Sequence, residues 1–177
     1  MVSYPKKEKT QTTLLNPTTE QSWELLQSCG IARHAYNWGL QEWHTQLSVG
    51  RQPSLGSVRA SYNDIRHEQF PWADSGDVTG CAVDSGFYLL ALAYATFFRQ
   101  CAAKDTNRAA PRFKSKETTS PYFRVDGSLV RVRDREIYIG RMTTPIHMVD
   151  KILSTDPIRA IAVYQNSCGW NLVIHTK

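Results

Sequence analysis

The sequence predicts an α+β fold, a small β-barrel with an inserted lobe of three helices. A Thr- and Leu-rich segment near the start is typical of a strand, and three segments with apolar residues at helical spacing follow it. The last third of the chain alternates apolar and polar residues, as half-buried strands do. Helices between a first strand and later strands indicate a barrel with a helical insertion. We therefore expect a first barrel strand over 1–16, a helical lobe over 17–107, and the rest of the barrel, with a basic loop, over 108–177.

The first helix is predicted directly after Pro17. Thr18, followed three residues later by Gln21, has the pattern of a capping box. Gly30 and Gly39 lie inside the helical segment, and we expect a kink or close packing near them. The apolar stripe of this helix comprises Leu25, Cys29, Ala32, Tyr36, Leu40, Trp43 and Leu47.

Two further helices are predicted before the polar loop. Ser54 is expected to begin the second, and the "FPW" segment (70–72) to end it. The third is expected over 79–103, with a first half so apolar that it should lie at the centre of a bundle. It is short and flanked by charges, which argues against a membrane span. The inward positions are Leu55, Val58, Tyr62 and Ile65 in the second helix, and Val83, Phe87, Leu90, Tyr94, Phe97 and Cys101 in the third.

Four or five strands are expected after the third helix. The segments "YFRV", "LVRVRD" and "REIYIG" alternate apolar and charged residues. "AIAVYQ" and "WNLVIH" flank "NSCG", which predicts a hairpin with Gly169 as the turn residue.

Positive charge is concentrated in one segment. The chain has a formal net charge of +5, and residues 108–141 contain nine Lys or Arg against four Asp or Glu. This balance favours a polyanionic partner. Arg131 and Arg133 share a face of one predicted strand, with Arg124 near them and Phe113 as a nearby aromatic, which is the pattern of a barrel that follows a phosphate backbone. A solvated strand face with a flexible loop explains the same charge and alternation equally well.

The residue types of a catalytic site are not grouped in the sequence. There is no Gly-x-Ser-x-Gly elbow, phosphate-binding loop or His-Glu-x-x-His motif, and the five histidines lack ligand spacing. The four cysteines form no Cys-x-x-Cys pair, so we expect reduced thiols in a cytosolic protein. We therefore expect no catalytic residue, no metal, no cofactor and no membrane partner.

Several short motifs resemble those of TnpB-type (OrfB-family) proteins, the transposon-encoded RNA-guided nucleases related to compact type V CRISPR effectors. "CGIARHAYNWGL" (29–40), "FPW", "FFRQ" (97–100) and "PRFKSK" (111–116) occur in the same order in the N-terminal half of that family, and "YP" (4–5) and "PTTEQ" (17–21) have counterparts there. The resemblance implies a wedge-type barrel and a recognition lobe that hold a structured guide RNA and target DNA. It also implies that catalysis belongs to a RuvC-like domain, which we expect this chain to lack.

The resemblance also implies roles for individual residues. Cys81 and Asp84 depart from the family pattern at the start of the third helix, which puts recognition of the DNA flanking the target in doubt. Phe113 is expected to anchor the basic loop to the barrel. The resemblance and the charge pattern together give the candidate nucleic-acid-binding residues: Arg33 and Asn37 on the first helix; Ser54, Ser57 and Arg59 near flanking DNA; Arg108, Arg112, Phe113, Lys114 and Lys116 in the basic loop; and, from the charge pattern, Arg124, Arg131 and Arg133 on the strands.

Four hypotheses follow. The first is a nuclease-free module that binds guide RNA and target DNA. The second is the recognition half of a split nuclease whose RuvC half is a separate chain. The third is a subunit of a larger ribonucleoprotein whose helices contact proteins, and an exposed Gly86, Phe87 and Leu90 face on the third helix would favour it. The weakest is a DNA-binding repressor that reads a groove through the first two helices.

Overall fold

The computed structural model describes residues 9–74 and 76–177 and has the predicted α+β architecture. The first part of the expected strand, with the Tyr4–Pro5 pair, lies outside the described residues. A strand comes first, three helices follow, and six strands complete the described chain. The helices are α1 (Thr19–Ser48), α2 (Leu55–Gln69) and α3 (Thr79–Ala102). The strands are β1 (Lys9–Asn16), β2 (Tyr122–Asp126), β3 (Val130–Arg133), β4 (Glu136–Ile139), β5 (Ile146–Met148), β6 (Ile158–Asn166) and β7 (Gly169–Thr176).

The seven strands form one antiparallel sheet that nearly closes into a barrel. Their order is β2-β6-β7-β1-β5-β4-β3, so β2 and β3 lie at opposite edges although they are consecutive in the chain. A single 3₁₀ turn, Gly127–Leu129, joins these two edges and brings them together. A Cβ at Gly127 would collide with the backbone of Ile158 at the start of β6, so this closure requires glycine.

The barrel interior is apolar and comes from alternate positions of the strands. Phe123 on β2 pairs with Val163 on β6, which pairs with Leu172 on β7, and all three are fully buried. Burial of such side chains is the main favourable term in folding. The other residues on this face include Leu15, Ile137, Ile139, Ile146, Met148, Ile161, Trp170 and Ile174.

The three helices run up, down and up beside the barrel. α1 and α3 are parallel, because Ala35 lies at Gly86, Gly39 at Leu90 and Trp43 at Tyr94. α2 returns antiparallel to α1, since Ser57 bonds Gln46 near its start and Tyr62 contacts His34 further along. The face of α3 that includes Gly86, Phe87 and Leu90 is buried, so it gives no support to the third hypothesis.

The contact between α1 and α3 is a close approach of two backbones. A Cβ at Gly86 would lie 2.5 Å from the carbonyl oxygen of Ala32 and 2.9 Å from the backbone nitrogen of Tyr36. At Gly39 the neighbours are instead the side chains of Leu90 and Phe87, at 2.8 and 3.0 Å. Gly30 faces open space, and α1 continues through both of its glycines as one helix of 30 residues.

The "FPW" segment packs over the aromatic side of α1. Phe70 caps α2, and the 3₁₀ helix Pro71–Asp74 then places Trp72 against His34. The His34 ring lies 4.6 Å from the ring of Phe70 and 4.8 Å from that of Trp72, centroid to centroid. Burial lowers the pKa of His34 and favours the neutral ring. The motif therefore closes the helical core, and its residues are packing residues.

Most local predictions are confirmed. Thr18 and Gln21 form the capping box, and all of the α1 stripe except Leu47 is buried. The β6–β7 hairpin turns through Ser167–Cys168, and Gly169 follows as the first residue of β7 with a φ of 115°. The short strand β5 was not predicted, and it brings the number of strands after the helices to six.

Helix α3 satisfies the length and composition of a membrane span, contrary to the expectation from sequence. Its mean hydropathy is 1.4 over an 18-residue window, and within the described residues it is the one helix that passes this test. The core helix of a globular domain passes the same test, and α3 packs along both α1 and β2.

Replacing Gly86 should test the backbone contact between α1 and α3. We expect Gly86→Ala to lower the free energy of unfolding by about 1–3 kcal/mol, because the added methyl group meets backbone that has no room to move. The matched control is Gly30→Ala, also within a helix, which should be neutral or stabilising by up to about 1 kcal/mol. Urea denaturation measures both, and equal effects would contradict this packing.

Candidate nucleic-acid interface

The basic loop, Arg108–Glu117, is held to the middle of α1 by one amide side chain. Asn37 donates from Nδ2 to the carbonyl oxygen of Lys114 and accepts at Oδ1 from the Lys114 N–H, each at 2.8 Å. The two bonds mimic a pair of sheet hydrogen bonds, and they satisfy both backbone groups of Lys114. Asn37 is therefore occupied within the protein and positions the loop.

Lys114 anchors the loop and Phe113 does not. The Lys114 ammonium lies 4.3 Å from the centre of the Tyr36 ring, a cation–π contact inside the molecule. Burial lowers the pKa of Lys114 and raises that of Tyr36. Phe113 is 56% exposed, so the expectation that it packs on the barrel was wrong. Within residues 112–116 only Lys114 is partly buried, because Asn37 and Tyr36 hold it.

The remaining cations of the loop face solvent. Arg108, Arg112 and Lys116 are exposed, and Phe113 lies among them. A backbone N–H and the Ser115 hydroxyl lower the pKa of the exposed Glu117, with smaller contributions from Arg33 and Lys116. The loop thus presents three cations and one aromatic ring on a backbone that α1 holds in place.

A cleft of about 320 Å³ lies where the loop, the helices and β2 meet. Arg33 and Lys114 line it from α1 and the loop, and Tyr122 lines it from β2. Burial raises the pKa of Tyr122, and the positive charge of Arg124 offsets part of this increase. The structure therefore gathers Arg33, Lys114 and Arg124 around one tyrosine.

Arg124 is fixed between β2 and α3. Its backbone N–H donates to the Ser85 hydroxyl at 2.8 Å, and its guanidinium lies 4.3 Å from the centre of the Tyr88 ring. Ser85 is buried and Tyr88 is partly exposed, so the contact lies at the edge of the helix–barrel junction. An arginine that stacks on an exposed tyrosine has its guanidinium plane held by the ring, and its N–H groups can still donate to a phosphate.

Arg131 and Arg133 lie on β3, the opposite edge strand from β2, and both are exposed. Arg131 stacks on Tyr138 at 5.1 Å and donates to the carbonyl oxygen of Met142 at 3.2 Å. Arg133 pairs across the sheet with Glu136. They form a second basic area on the outer barrel surface, and no described contact joins it to the basic loop.

The residues expected near flanking DNA are used within the protein. Ser54 and Ser57 form the capping box of α2, and the Ser57 hydroxyl also bonds Gln46 Oε1 at 2.9 Å. Arg59 forms an ion pair with Asp84 of α3 and lies 5.6 Å from the centre of the Phe87 ring. Asp84, the acidic residue that departs from the family pattern, thus has a local partner, and this ion pair joins α2 to α3.

The sequence did not reveal the roles of Tyr36, Ser85 and Tyr88. Tyr36 belongs to the predicted apolar stripe, and the structure shows that its ring face also contacts the Lys114 ammonium. Ser85 and Tyr88 occur one turn apart on α3, a spacing that could have indicated a common polar edge.

The acidic side chains of the barrel have local partners. Asp134 bonds Lys151 at 2.8 Å, and this contact lowers the pKa of Asp134. Asp126 accepts from Ser128 and caps the 3₁₀ turn that closes the barrel. Within the described ranges 9–74 and 76–177, no group of three His, Cys, Asp or Glu side chains is placed to hold a metal ion.

A comparison with protein families gives one match, over the first part of the chain. The family model HTH_OrfB_IS605, described as a helix-turn-helix domain, matches residues 9–51. The match covers about a quarter of the chain and shows a similarity to the OrfB family over those residues. This match confirms the resemblance to TnpB/OrfB transposon proteins that the sequence motifs indicated. No curated protein matches the chain.

The matched OrfB segment contributes one long helix and one barrel strand. It comprises β1, the capping turn, α1 and the turn that begins at Val49, while α2 starts after the match ends. The Arg33 and Asn37 positions therefore lie inside the matched segment, and the basic loop lies outside it. Asn37 is the direct link between the OrfB segment and that loop.

Replacing Asn37 should release the loop. We expect Asn37→Ala to lower the free energy of unfolding by about 1–3 kcal/mol, because two partly buried backbone groups of Lys114 lose their partner. Trypsin should then cleave after Arg112 and Lys116 at least about tenfold faster, since local opening sets access to a loop. Asn63→Ala, at an exposed position on α2, is the control and should match the unchanged protein. Equal cleavage of both variants would show that Asn37 does not hold the loop.

Proposed function

We propose that this chain is a nucleic-acid-binding module that holds a structured guide RNA. The carrying observation is the anchored basic loop, in which Arg108, Arg112 and Lys116 face solvent from a backbone held by Asn37. A loop ordered before binding loses less conformational freedom on binding, so its phosphate contacts contribute more to affinity. The family description of the OrfB segment, a helix-turn-helix domain, supports nucleic-acid binding in general.

The expected path of the RNA follows the helix–barrel junction. Phosphates would contact Arg112 and Lys116 on the loop, and then Arg33 and Arg124 beside the cleft around Tyr122. Arg131 and Arg133 offer a second area for a further part of the RNA or for target DNA. Lys114 has an inward role in this proposal, because its ammonium already lies on the Tyr36 ring.

Reading of DNA bases by α2 has less support. In helix-turn-helix proteins the second helix enters the major groove, and this requires an outer face able to approach phosphates. The exposed face of α2 carries Asp64 and Glu68, and its first turn uses Ser54 and Ser57 as a cap. Target DNA therefore remains a proposed partner of the barrel and loop, and the repressor hypothesis is not favoured.

We propose no catalytic role for this chain by itself. Asp84, Asp126 and Asp134 each have a local structural partner, so they serve packing and capping. Cleavage would come from a RuvC-like domain, on the same protein or on a separate chain as in a split nuclease. The proposed setting is the cytosol, where guide RNA and DNA are accessible.

Charge reversal at Arg112 and Lys116 tests the proposal. We expect the double variant Arg112→Glu/Lys116→Glu to bind a hairpin RNA at least about tenfold more weakly than the unchanged chain. The slope of log affinity against log salt should fall by roughly 1.4 to 1.8, which corresponds to two lost phosphate contacts. Fluorescence anisotropy across a salt series gives both values, and circular dichroism checks that the fold is kept.

The matched control reverses a lysine far from the loop. Lys177 follows the end of β7, where Thr176 pairs with Lys9, whereas the loop joins β2 at the other end of the sheet, where Tyr122 pairs with Tyr164. Lys177→Glu should therefore bind the hairpin almost as the unchanged chain does. If the loss of binding free energy per reversed charge is the same in both variants, overall charge alone explains it, and a specific role for the loop is contradicted.

A further inference from the structure

An aromatic groove of about 470 Å³ lies between the last turns of α1 and α3. The turn after α1 borders one side of it, and the first part of the basic loop borders the other. Its size is within the range of sites that take small organic ligands. The residues that determine its character are Trp43, Leu47, Tyr94, Phe97, Phe98 and Pro111.

Three rings in this groove pack into one cluster. Trp43 and Tyr94 stack with their ring centres 4.0 Å apart and their planes 22° apart. The ring of Phe98 lies beside this pair, 5.8 Å from the ring of Tyr94 and 6.4 Å from that of Trp43, and its plane is tilted by 42° from the Trp43 plane. Trp43 and Tyr94 are buried, and burial raises the pKa of Tyr94 to about 12. Phe98 is 51% exposed, so it is the accessible ring of the cluster.

Three exposed arginines are adjacent in sequence to residues that line the groove. Arg51 precedes Gln52, Arg99 follows Phe98, and Arg112 follows Pro111. The segments that border the groove therefore carry cations, although the lining itself is aromatic.

We propose that this groove stacks an unpaired nucleotide of the bound RNA on Phe98, an inference that rests on the proposed function. Aromatic rings interleaved with cations are the pattern by which proteins bind single-stranded nucleic acid, because every base has a face that can stack. His44 and Gln52 line the same groove and supply polar groups for the edge of a base. The exposed arginines next to the lining residues in the sequence favour an anionic ligand over an apolar peptide.

The position of the groove fits an RNA that already contacts the basic loop. Ala110 and Pro111 line the groove, and the exposed Arg112 and Lys116 follow directly in the same loop. A strand whose paired region lies along the loop would reach the groove with its first unpaired residue. The groove therefore recognises the end of a duplex, where paired and unpaired RNA meet.

Two RNA probes separate this inference from the proposed function. One is a blunt hairpin, and the other is the same hairpin with a short oligouridine extension that carries one 2-aminopurine. For the unchanged chain we expect the extension to tighten binding by roughly tenfold, a value typical of one stacked base. Stacking on Phe98 should also quench the 2-aminopurine fluorescence.

Phe98→Ala should remove the gain from the extension and the quenching, and leave affinity for the blunt hairpin unchanged. The matched control is Trp23→Ala, which removes an aromatic side chain that is 65% exposed near the start of α1, and it should change neither probe. The loop double variant Arg112→Glu/Lys116→Glu should weaken binding of both probes.

The remaining outcomes decide between the two ideas. If the blunt hairpin binds and the extension gives neither gain nor quenching, the groove inference is overturned and the proposed function stands. If neither probe binds, the proposed function itself fails. If Phe98→Ala instead abolishes a concentration-dependent dimer, the groove is an interface with a second copy, and the inference is likewise overturned.

Discussion

The parallel contact of α1 with α3 is the constraint on which the rest of the structure depends. Because Gly86 has no side chain, the two backbones meet at Ala32–Tyr36, and the other faces of that same turn remain available. Asn37 and the Tyr36 ring use them to hold Lys114, and the start of α3 reaches the barrel through Asp77, whose carbonyl oxygen accepts from the Arg141 N–H at 3.0 Å. One crossing therefore sets both the barrel position and the path of the basic loop.

The proposed function of the basic loop depends on its partly buried Lys114 as well as on its exposed cations. Lys114 satisfies its backbone with Asn37 and its charge with Tyr36, so one of the loop's cations is used for anchoring. Its neighbours Arg112 and Lys116 then face solvent from a backbone that is already ordered, so less conformational entropy is lost when they bind a ligand. The aromatic groove at the start of this loop extends the same principle, since its rings are ordered by stacking within the protein. Binding surfaces of this kind combine ordered backbone, exposed cations and one accessible ring.

Sequence patterns predicted the elements well and the site only in part. Periodicity located all three helices, and the cap residues Thr18 and Ser54 located the starts of α1 and α2, because both kinds of signal are local. The three-residue strand β5 was missed because it is too short to show alternation. The direction of Lys114 and Phe113 could not be predicted, because it depends on Asn37, 77 residues away in the chain. Likewise, Arg59 and Asp84 carry no sequence signal of their pairing.

Hydrogen exchange of the Lys114 amide tests the central claim most directly. In the free protein this N–H donates to Asn37 Oδ1 in the middle of α1, although it belongs to a polar loop. We expect it to exchange as slowly as amides in the middle of α1, and far more slowly than the amides of Arg112 and Lys116. Exchange at the rate of those two neighbours would show a mobile loop, and it would contradict an anchored nucleic-acid-binding surface.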